Sequence, residues 1–211
     1  MANARQSVKV KICGVTRVED ALAACEYGAD YVGLNFYRGT VRCVELSQAI
    51  AIRDAVGGKV ALVGVFVNPT RAEVAQRLQQ VGFDLLQIYS DRPQIREDWP
   101  VPVIHPIGFK AAQPGPLAAL SSPQDGLPRL FLIDQFDPLR YGGTGRAIEL
   151  DQLRGLELGR CFVAGGLKPD TVAAVAALGP YGVDVASGVE SAPGIKDRTM
   201  LRSFIENAKS A

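Results

Sequence analysis

The sequence predicts an α/β fold, a single (β/α)8 (TIM) barrel domain over residues 1–211. Eight short strand-like runs alternate with segments of helical period. Several of these runs, such as "ALVGVF" and "CFVAGG", are apolar throughout, which is typical of parallel strands covered on both faces. A barrel of this kind needs about 200 to 250 residues. The rival fold is an open doubly wound sheet, but its usual G-x-G-x-x-G turn reads "CGVTRV" here.

The strands are bounded by recognisable helix starts. "TRVE" at 16–19 and "TRAE" at 70–73 both fit the capping box and predict the starts of the first and third helices. After Asp197 one apolar face predicts a closing helix, and the four prolines within 111–128 predict a short or irregular connection. The predicted strands are 8–13, 31–36, 59–66, 85–89, 101–109, 129–134, 161–166 and 182–187. The face of the closing helix consists of Met200, Leu201, Phe204, Ile205 and Ala208.

Composition excludes several classes of protein. The 23 basic and 22 acidic residues give a net charge of +1, so we expect no nucleic-acid and no membrane partner. The start of the chain has no signal-peptide pattern, and its best apolar run is too short to span a bilayer, so we expect a cytoplasmic protein. Four scattered cysteines and one histidine, His105, favour reduced thiols over disulfides and predict no metal site.

The carboxyl ends of barrel strands form the active face of this fold. Cys13 ends the first strand, Arg42 follows the second and Asp134 ends the sixth, so these side chains are predicted to converge. Each has an ordinary alternative: Cys13 as a core residue, Asp134 as a helix cap, and Arg42 as a surface residue of a polar loop. An acid at the end of the apolar run "RLFLID" must nevertheless be satisfied or used.

Glycine-rich loops follow the last three strands and predict a phosphate site. They read "GGTG" at 142–145, "AGG" at 164–166 and "ASG" at 186–188. Backbone amides bind phosphate well, and loops seven and eight are its usual position in a barrel, although each motif alone is also an ordinary turn. The predicted phosphate-binding residues are Gly143, Gly145, Gly165, Gly166, Ser187 and Gly188.

Several motifs in order resemble one family, the phosphoribosylanthranilate isomerases of tryptophan biosynthesis. The resemblance runs from about Lys11 to Phe204 and is most specific at the K-x-C-G start and the S-G-V-E-x-x-P-G-x-K-D end. The matching stretches are "KICGVTRVEDA", "GLNFY" followed by "TVR", "VGVFVN", "LID", "GGTG", "AGGLKPD" and "DVASGVESAPGIKD".

The resemblance implies a cofactor-free Amadori rearrangement by an aldose–ketose isomerase. Its small-molecule substrate would be phosphoribosylanthranilate, and no obligate protein partner is expected. Asp134 matches the general acid that opens the furanose, and Cys13 the base that removes the C2′ proton. Arg42 matches an arginine of the substrate site and suits the anthranilate carboxylate, while Lys11 and Tyr89 complete the expected substrate-binding set. The thiol would need a lowered pKa, helped by Lys11 or Arg42, or would act from a minor thiolate fraction.

The chain also departs from the family pattern. Where the family commonly has Q-L-H-G, this chain has "QIYS", so Tyr89 replaces a histidine. Where the family has S-P-R, this chain has "TVR". Residues 148–150 replace Phe-Asp-Trp, and Ala186 stands where serine is common. Two other readings remain: a histidine-pathway aminoaldose isomerase, which would place a carboxylate at Cys13, and a catalytically silent phosphate-binding barrel. His105 is expected to be a packing histidine rather than a substitute for the missing one.

Overall fold

Eight parallel strands close into a barrel in which each strand pairs with the next and β8 pairs with β1. The structure, a computed structural model, describes residues 7–90, 98–108, 130–134 and 149–211. All eight predicted strands and the predicted barrel are confirmed, with small differences at the strand ends. The strands are β1 Lys9–Cys13, β2 Tyr31–Asn35, β3 Ala61–Val67, β4 Leu85–Tyr89, β5 Val103–Gly108, β6 Leu130–Asp134, β7 Cys161–Val163 and β8 Gly182–Val185.

Helices and one small hairpin surround the barrel. Two 3-10 turns, Leu158–Arg160 and Ser187–Val189, lie before β7 and after β8. The hairpin consists of β9 Glu190–Ala192 and β10 Ile195–Lys196, and we call residues 190–196 the C-terminal hairpin. The described helices are α1 Val18–Glu26, α2 Leu46–Val56, α3 Arg71–Val81, α4 Leu150–Leu153, α5 Val172–Ala176 and α6 Arg198–Lys209.

The predicted capping box is confirmed at α3 and wrong at α1. Thr70 Oγ1 accepts from the amide of Glu73, whose carboxylate accepts from the amide of Thr70 at 2.7 Å. At α1 the cap position belongs to Arg17, and the hydroxyl of Thr16 donates to the carbonyl of Gly194 at 2.6 Å. A tertiary contact with the C-terminal hairpin thus takes the hydroxyl that a local cap would have used.

The closing helix is confirmed. Asp197 caps α6 by accepting from the amide of Met200 at 2.9 Å, and the predicted apolar face is buried against the barrel except for the half-buried Met200. The irregular connection predicted for 111–128 lies outside the described residues. The assignment of residues 1–211 to one domain stays a prediction.

Apolar side chains form two cores, one on each side of the barrel wall. The larger lies between the strands and the helices. The smaller fills the barrel and forms the floor beneath the strand ends, with the members Val63, Val65, Leu85, Tyr89, Ile104, Leu132, Phe162 and Ala164. In the described part of the chain, every helix is too short or too polar to span a lipid bilayer.

Candidate active site

A pocket opens at the carboxyl ends of the strands, where the fold predicts the active face. Cys13, Arg42, Tyr89 and Asp134 all border it, so the structure brings these predicted site residues together. The lining residues are Cys13, Gly14, Asn35, Tyr37, Thr40, Arg42, Val65, Val67, Gln87, Tyr89, Asp134, Asp184 and Ala186.

Cys13 ends β1 above a buried ion pair. The ammonium of Lys11 is fully buried and lies 2.8 Å from a carboxylate oxygen of Asp184, its register partner on β8. Burial raises the pKa of the Cys13 thiol, although Lys11 acts to lower it. Burial also works to lower the pKa of Lys11, but Asp184 and the thiol hold it above its ordinary value. Lys11 is therefore a cation directed at the thiol and at Asp184, and it does not border the pocket.

Asp134 at the end of β6 and Tyr89 at the end of β4 both line the pocket. Both side chains are buried, Asp134 at the last residue of its strand, as predicted. Burial, and then the Asp134 carboxylate, raise the pKa of the Tyr89 phenol well above its ordinary value, so Tyr89 is a neutral hydroxyl at neutral pH. That hydroxyl accepts from Nε2 of Gln87 at 3.0 Å.

Arg42 is held in a charged network with the C-terminal hairpin. Its Nε and Nη2 donate to the two carboxylate oxygens of Glu190 at 2.8 and 2.6 Å, a bidentate fork. Glu190 also accepts from the buried Lys196 at 2.8 Å, and Lys196 donates to the backbone carbonyls of Cys13 and Ala186. The network joins the arginine, the thiol strand and the loop after β8.

Close packing around Arg42 explains the glycine after the thiol. A Cβ at Gly14 would lie 2.6 Å from Cδ of Arg42, and the backbone there has a φ of +65°. Glycine therefore lets the arginine stem cross directly over the end of β1.

The loops after β7 and β8 lie against each other. Gly165 and Gly166 have positive φ, and a Cβ on Gly188 would collide with the carbonyl of Leu167. Ser187 and Gly188 form the 3-10 turn that follows β8. The predicted phosphate-binding Gly143 and Gly145 lie outside the described residues.

Sequence reasoning missed several polar residues of the site. Asp184 carries the same signal as Asp134, an acid within an apolar strand, and that signal was sufficient to find it. Glu190 and Lys196 lie inside the recognised C-terminal motif, but only the fold shows that they reach Arg42 and Cys13. Gln87 carried no signal beyond its place in "QIYS".

His105 lies away from the pocket. It packs beside the ring of Phe131, with the ring centroids 5.9 Å apart. Among the described residues, no three histidine, cysteine, aspartate or glutamate side chains are grouped so that they could hold a metal ion.

Comparisons with known proteins agree along nearly the whole chain. Residues 10–207 match the family model described as N-(5′-phosphoribosyl)anthranilate (PRA) isomerase. The enzyme of that name from Pseudomonas fluorescens is 41% identical over 204 residues, which cover 94% of this chain and 97% of the relative.

Solved structures give the same result. Phosphoribosylanthranilate isomerase from Thermotoga maritima superimposes with a TM-score of 0.81 at 33% identity, covering 97% of this chain and 100% of the other. A phosphoribosylanthranilate isomerase in complex with reduced 1-(o-carboxyphenylamino)-1-deoxyribulose 5-phosphate has a TM-score of 0.74 at 33% identity, with the same coverage. The resemblance seen in the motifs is thereby confirmed, and this chain belongs to the phosphoribosylanthranilate isomerase family.

Proposed function

We propose that this chain converts N-(5-phosphoribosyl)anthranilate into 1-(o-carboxyphenylamino)-1-deoxyribulose 5-phosphate by acid–base catalysis. The observation that carries the proposal is the meeting of the Cys13 thiol and the Asp134 carboxyl in one pocket at the strand ends. Family membership supports it, and so does the relative solved with the reduced form of this product. The reaction is an isomerisation, so it is balanced without a cofactor.

Asp134 is the proposed general acid. Its carboxyl group gives a proton to the furanose ring oxygen while the C1′–O bond breaks and the nitrogen lone pair forms a protonated Schiff base. The carboxyl group is buried at the last residue of β6 and borders the pocket, where the ring oxygen of a bound substrate can reach it. The neighbouring phenol of Tyr89 is neutral, so it supplies a hydrogen bond and no charge.

Cys13 is the proposed general base. Its thiolate removes the C2′ proton, the electrons form the C1′–C2′ double bond, and the nitrogen recovers its lone pair. The enolamine then tautomerises to the ketone. Because the pKa of the thiol is raised, the base works from a minor thiolate fraction that the Lys11 ammonium enlarges. We therefore assign Lys11 to the thiol rather than to direct substrate contact.

The two anionic ends of the substrate have separate proposed sites. Arg42 borders the pocket and binds the anthranilate carboxylate, while Glu190 fixes the plane of its guanidinium. The phosphate binds at the packed loops after β7 and β8, through Gly165, Gly166, Ser187 and Gly188. Gly143 and Gly145, from the "GGTG" sequence between β6 and β7, complete the proposed phosphate-binding set. We also propose a cytoplasmic location, which the four free thiols support.

Turnover of freshly generated phosphoribosylanthranilate, followed by loss of anthranilate fluorescence, tests the proposal. We expect an active native protein and loss of activity in Cys13→Ser and in Asp134→Asn. An inactive native protein that still binds the reduced product would instead identify a silent barrel. Arg42→Ala should mainly raise KM, and an unchanged KM would reject its role in carboxylate binding.

A further inference from the structure

Gln87 has a buried polar atom without a partner. Its side chain is 1% exposed and borders the pocket from β4. The amide nitrogen donates to the hydroxyl of Tyr89, but the amide oxygen Oε1 has no hydrogen-bond partner among the described residues. Buried amide oxygens are nearly always paired, so an orphan at the wall of a substrate pocket points to a donor that arrives with the ligand.

Turning the Gln87 amide over would still leave one of its two polar atoms without a hydrogen-bond partner. If oxygen and nitrogen were exchanged, the oxygen would face Tyr89 and the nitrogen would be unpaired instead. The orientation in the structure is the one that leaves the Tyr89 proton free to point into the pocket, because its oxygen already accepts from Gln87.

The chemistry of the reaction selects the substrate group. In the proposed reaction Asp134 acts on the ring oxygen bonded to C1′, and Cys13 acts on the proton of C2′, so C1′ and its nitrogen lie between these two side chains. Gln87 lines the same pocket as both residues. The N–H group on C1′ is therefore a donor of the reacting centre in the pocket that Gln87 borders.

We propose that Oε1 of Gln87 accepts a hydrogen bond from the N–H group on C1′ of the substrate. The inference rests on the proposed function. Ring opening turns this nitrogen into a protonated Schiff base, so its N–H becomes a stronger donor as the reaction proceeds. A fixed carbonyl dipole that meets growing positive charge stabilises the transition state more than the ground state, and the contact therefore acts on kcat.

The test is a set of variants assayed for kcat, for KM and for thermal unfolding. Gln87→Met keeps the length of the side chain and removes both polar atoms. Tyr89→Phe removes only the partner hydroxyl, and the double variant reports whether Gln87 acts through Tyr89. We expect Gln87→Met to lower kcat by about 10- to 100-fold, the effect of losing a hydrogen bond to a charged donor, in both backgrounds. Its melting temperature should be equal to or above the native value, because the orphaned oxygen is gone.

Two results would overturn the inference. One is a native kcat in Gln87→Met. The other is an equal loss in Gln87→Met, Tyr89→Phe and the double variant, which would mean that Gln87 only positions Tyr89. Asp134→Asn, assayed alongside, separates this failure from failure of the proposed function: an inactive Asp134→Asn beside a fully active Gln87→Met rejects the Gln87 contact alone.

Discussion

At the scale of single residues, the most consequential pair is Lys11 with Asp184. The ammonium is fully buried, and the carboxylate is nearly so. Two charges removed from water in this way stabilise little as a pair, but each is costly when the other is deleted. The two charges act in opposite directions on the Cys13 thiol, because Lys11 lowers its pKa and Asp184 raises it.

Lys11→Met should destabilise the protein by about 3–5 kcal/mol, because it leaves a buried carboxylate unpaired. The double variant Lys11→Met/Asp184→Leu should recover most of that loss, since it removes both charges. Urea unfolding of the two variants beside the native chain measures the difference. Equal losses in the single and double variants would contradict the assignment of the energy to the unpaired charge.

The Cys13 thiol should titrate above its ordinary value. We expect its alkylation by iodoacetamide to accelerate about tenfold per pH unit through neutrality, with a midpoint above that of the same thiol in the unfolded chain. Asp184→Asn should lower the midpoint, because that carboxylate opposes formation of the thiolate. Peptide mapping isolates Cys13 from the other thiols, and a midpoint at or below the value of the unfolded chain would refute the expected shift.

At the scale of elements, the C-terminal hairpin connects Arg42 to the ends of β1 and β8. Glu190 joins Arg42 to Lys196, and Lys196 reaches the backbone of β1 and of the loop after β8. Burial works to raise the pKa of Glu190, but Arg42 and Lys196 hold it below its ordinary value. Such a group stabilises the fold above its unfolded pKa of about 4.3, and the stabilisation is lost as the pH falls through the lower folded value.

Glu190→Gln should therefore destabilise the protein by about 3–5 kcal/mol at pH 7, because it leaves the buried ammonium of Lys196 without its counter-ion. The difference from the native chain should shrink as the pH approaches 3, where the native glutamate is itself becoming protonated. Urea unfolding at pH 7, 5 and 3 measures it. Glu26→Gln, at an exposed ion pair with Arg198, is the control and should change little at any pH. A difference between Glu190→Gln and native that is independent of pH would refute the linkage.

The helix starts show how far local patterns reach. The same Thr-x-x-Glu pattern forms a capping box at Thr70, in a turn that is exposed to solvent. At Thr16 the hydroxyl lies within reach of Gly194, and the long-range bond replaces the cap. A local motif predicts local structure until a residue from a distant part of the chain competes for the same atom.

At the scale of the whole molecule, the barrel wall separates two cores with different roles. Leu132 and Ile133 are adjacent on β6 and equally buried, but Leu132 belongs to the core inside the barrel and Ile133 to the core beneath the helices. The inner core supports Asp134 and Gln87, because its members Leu132 and Leu85 lie two residues before them on β6 and β4.

Leu132→Ala and Ile133→Ala should each cost about 2–5 kcal/mol of stability, as large-to-small changes in a core do. Only Leu132→Ala should also lower kcat by about tenfold, since misplacing catalytic groups slightly has effects of that size or more. Unfolding and turnover measured on both variants test the distinction. Equal losses of kcat would mean that the two cores support the site alike.

The strands and their order were predictable because continuous apolar runs at regular spacing have few alternative folds. Cys13 and Asp134 were predictable for the related reason that strand ends converge in a barrel. Side-chain pairing was harder to predict from the sequence. The ion pair between Arg42 and Glu190 and the hydrogen bond from Lys196 to the Cys13 carbonyl each join residues more than a hundred positions apart. Such contacts depend on where loops cross, which periodicity does not encode.

The bond from Lys196 to the carbonyl of Cys13 spans 183 residues of chain. During translation, the strand that carries the thiol leaves the ribosome well before the ammonium that fixes its end, because 183 residues separate the two. Domains generally fold as units once their chain is available. The contact that fixes the end of the thiol strand therefore forms only after the C-terminal hairpin has been synthesised, so the pocket is completed late relative to the strand that starts it.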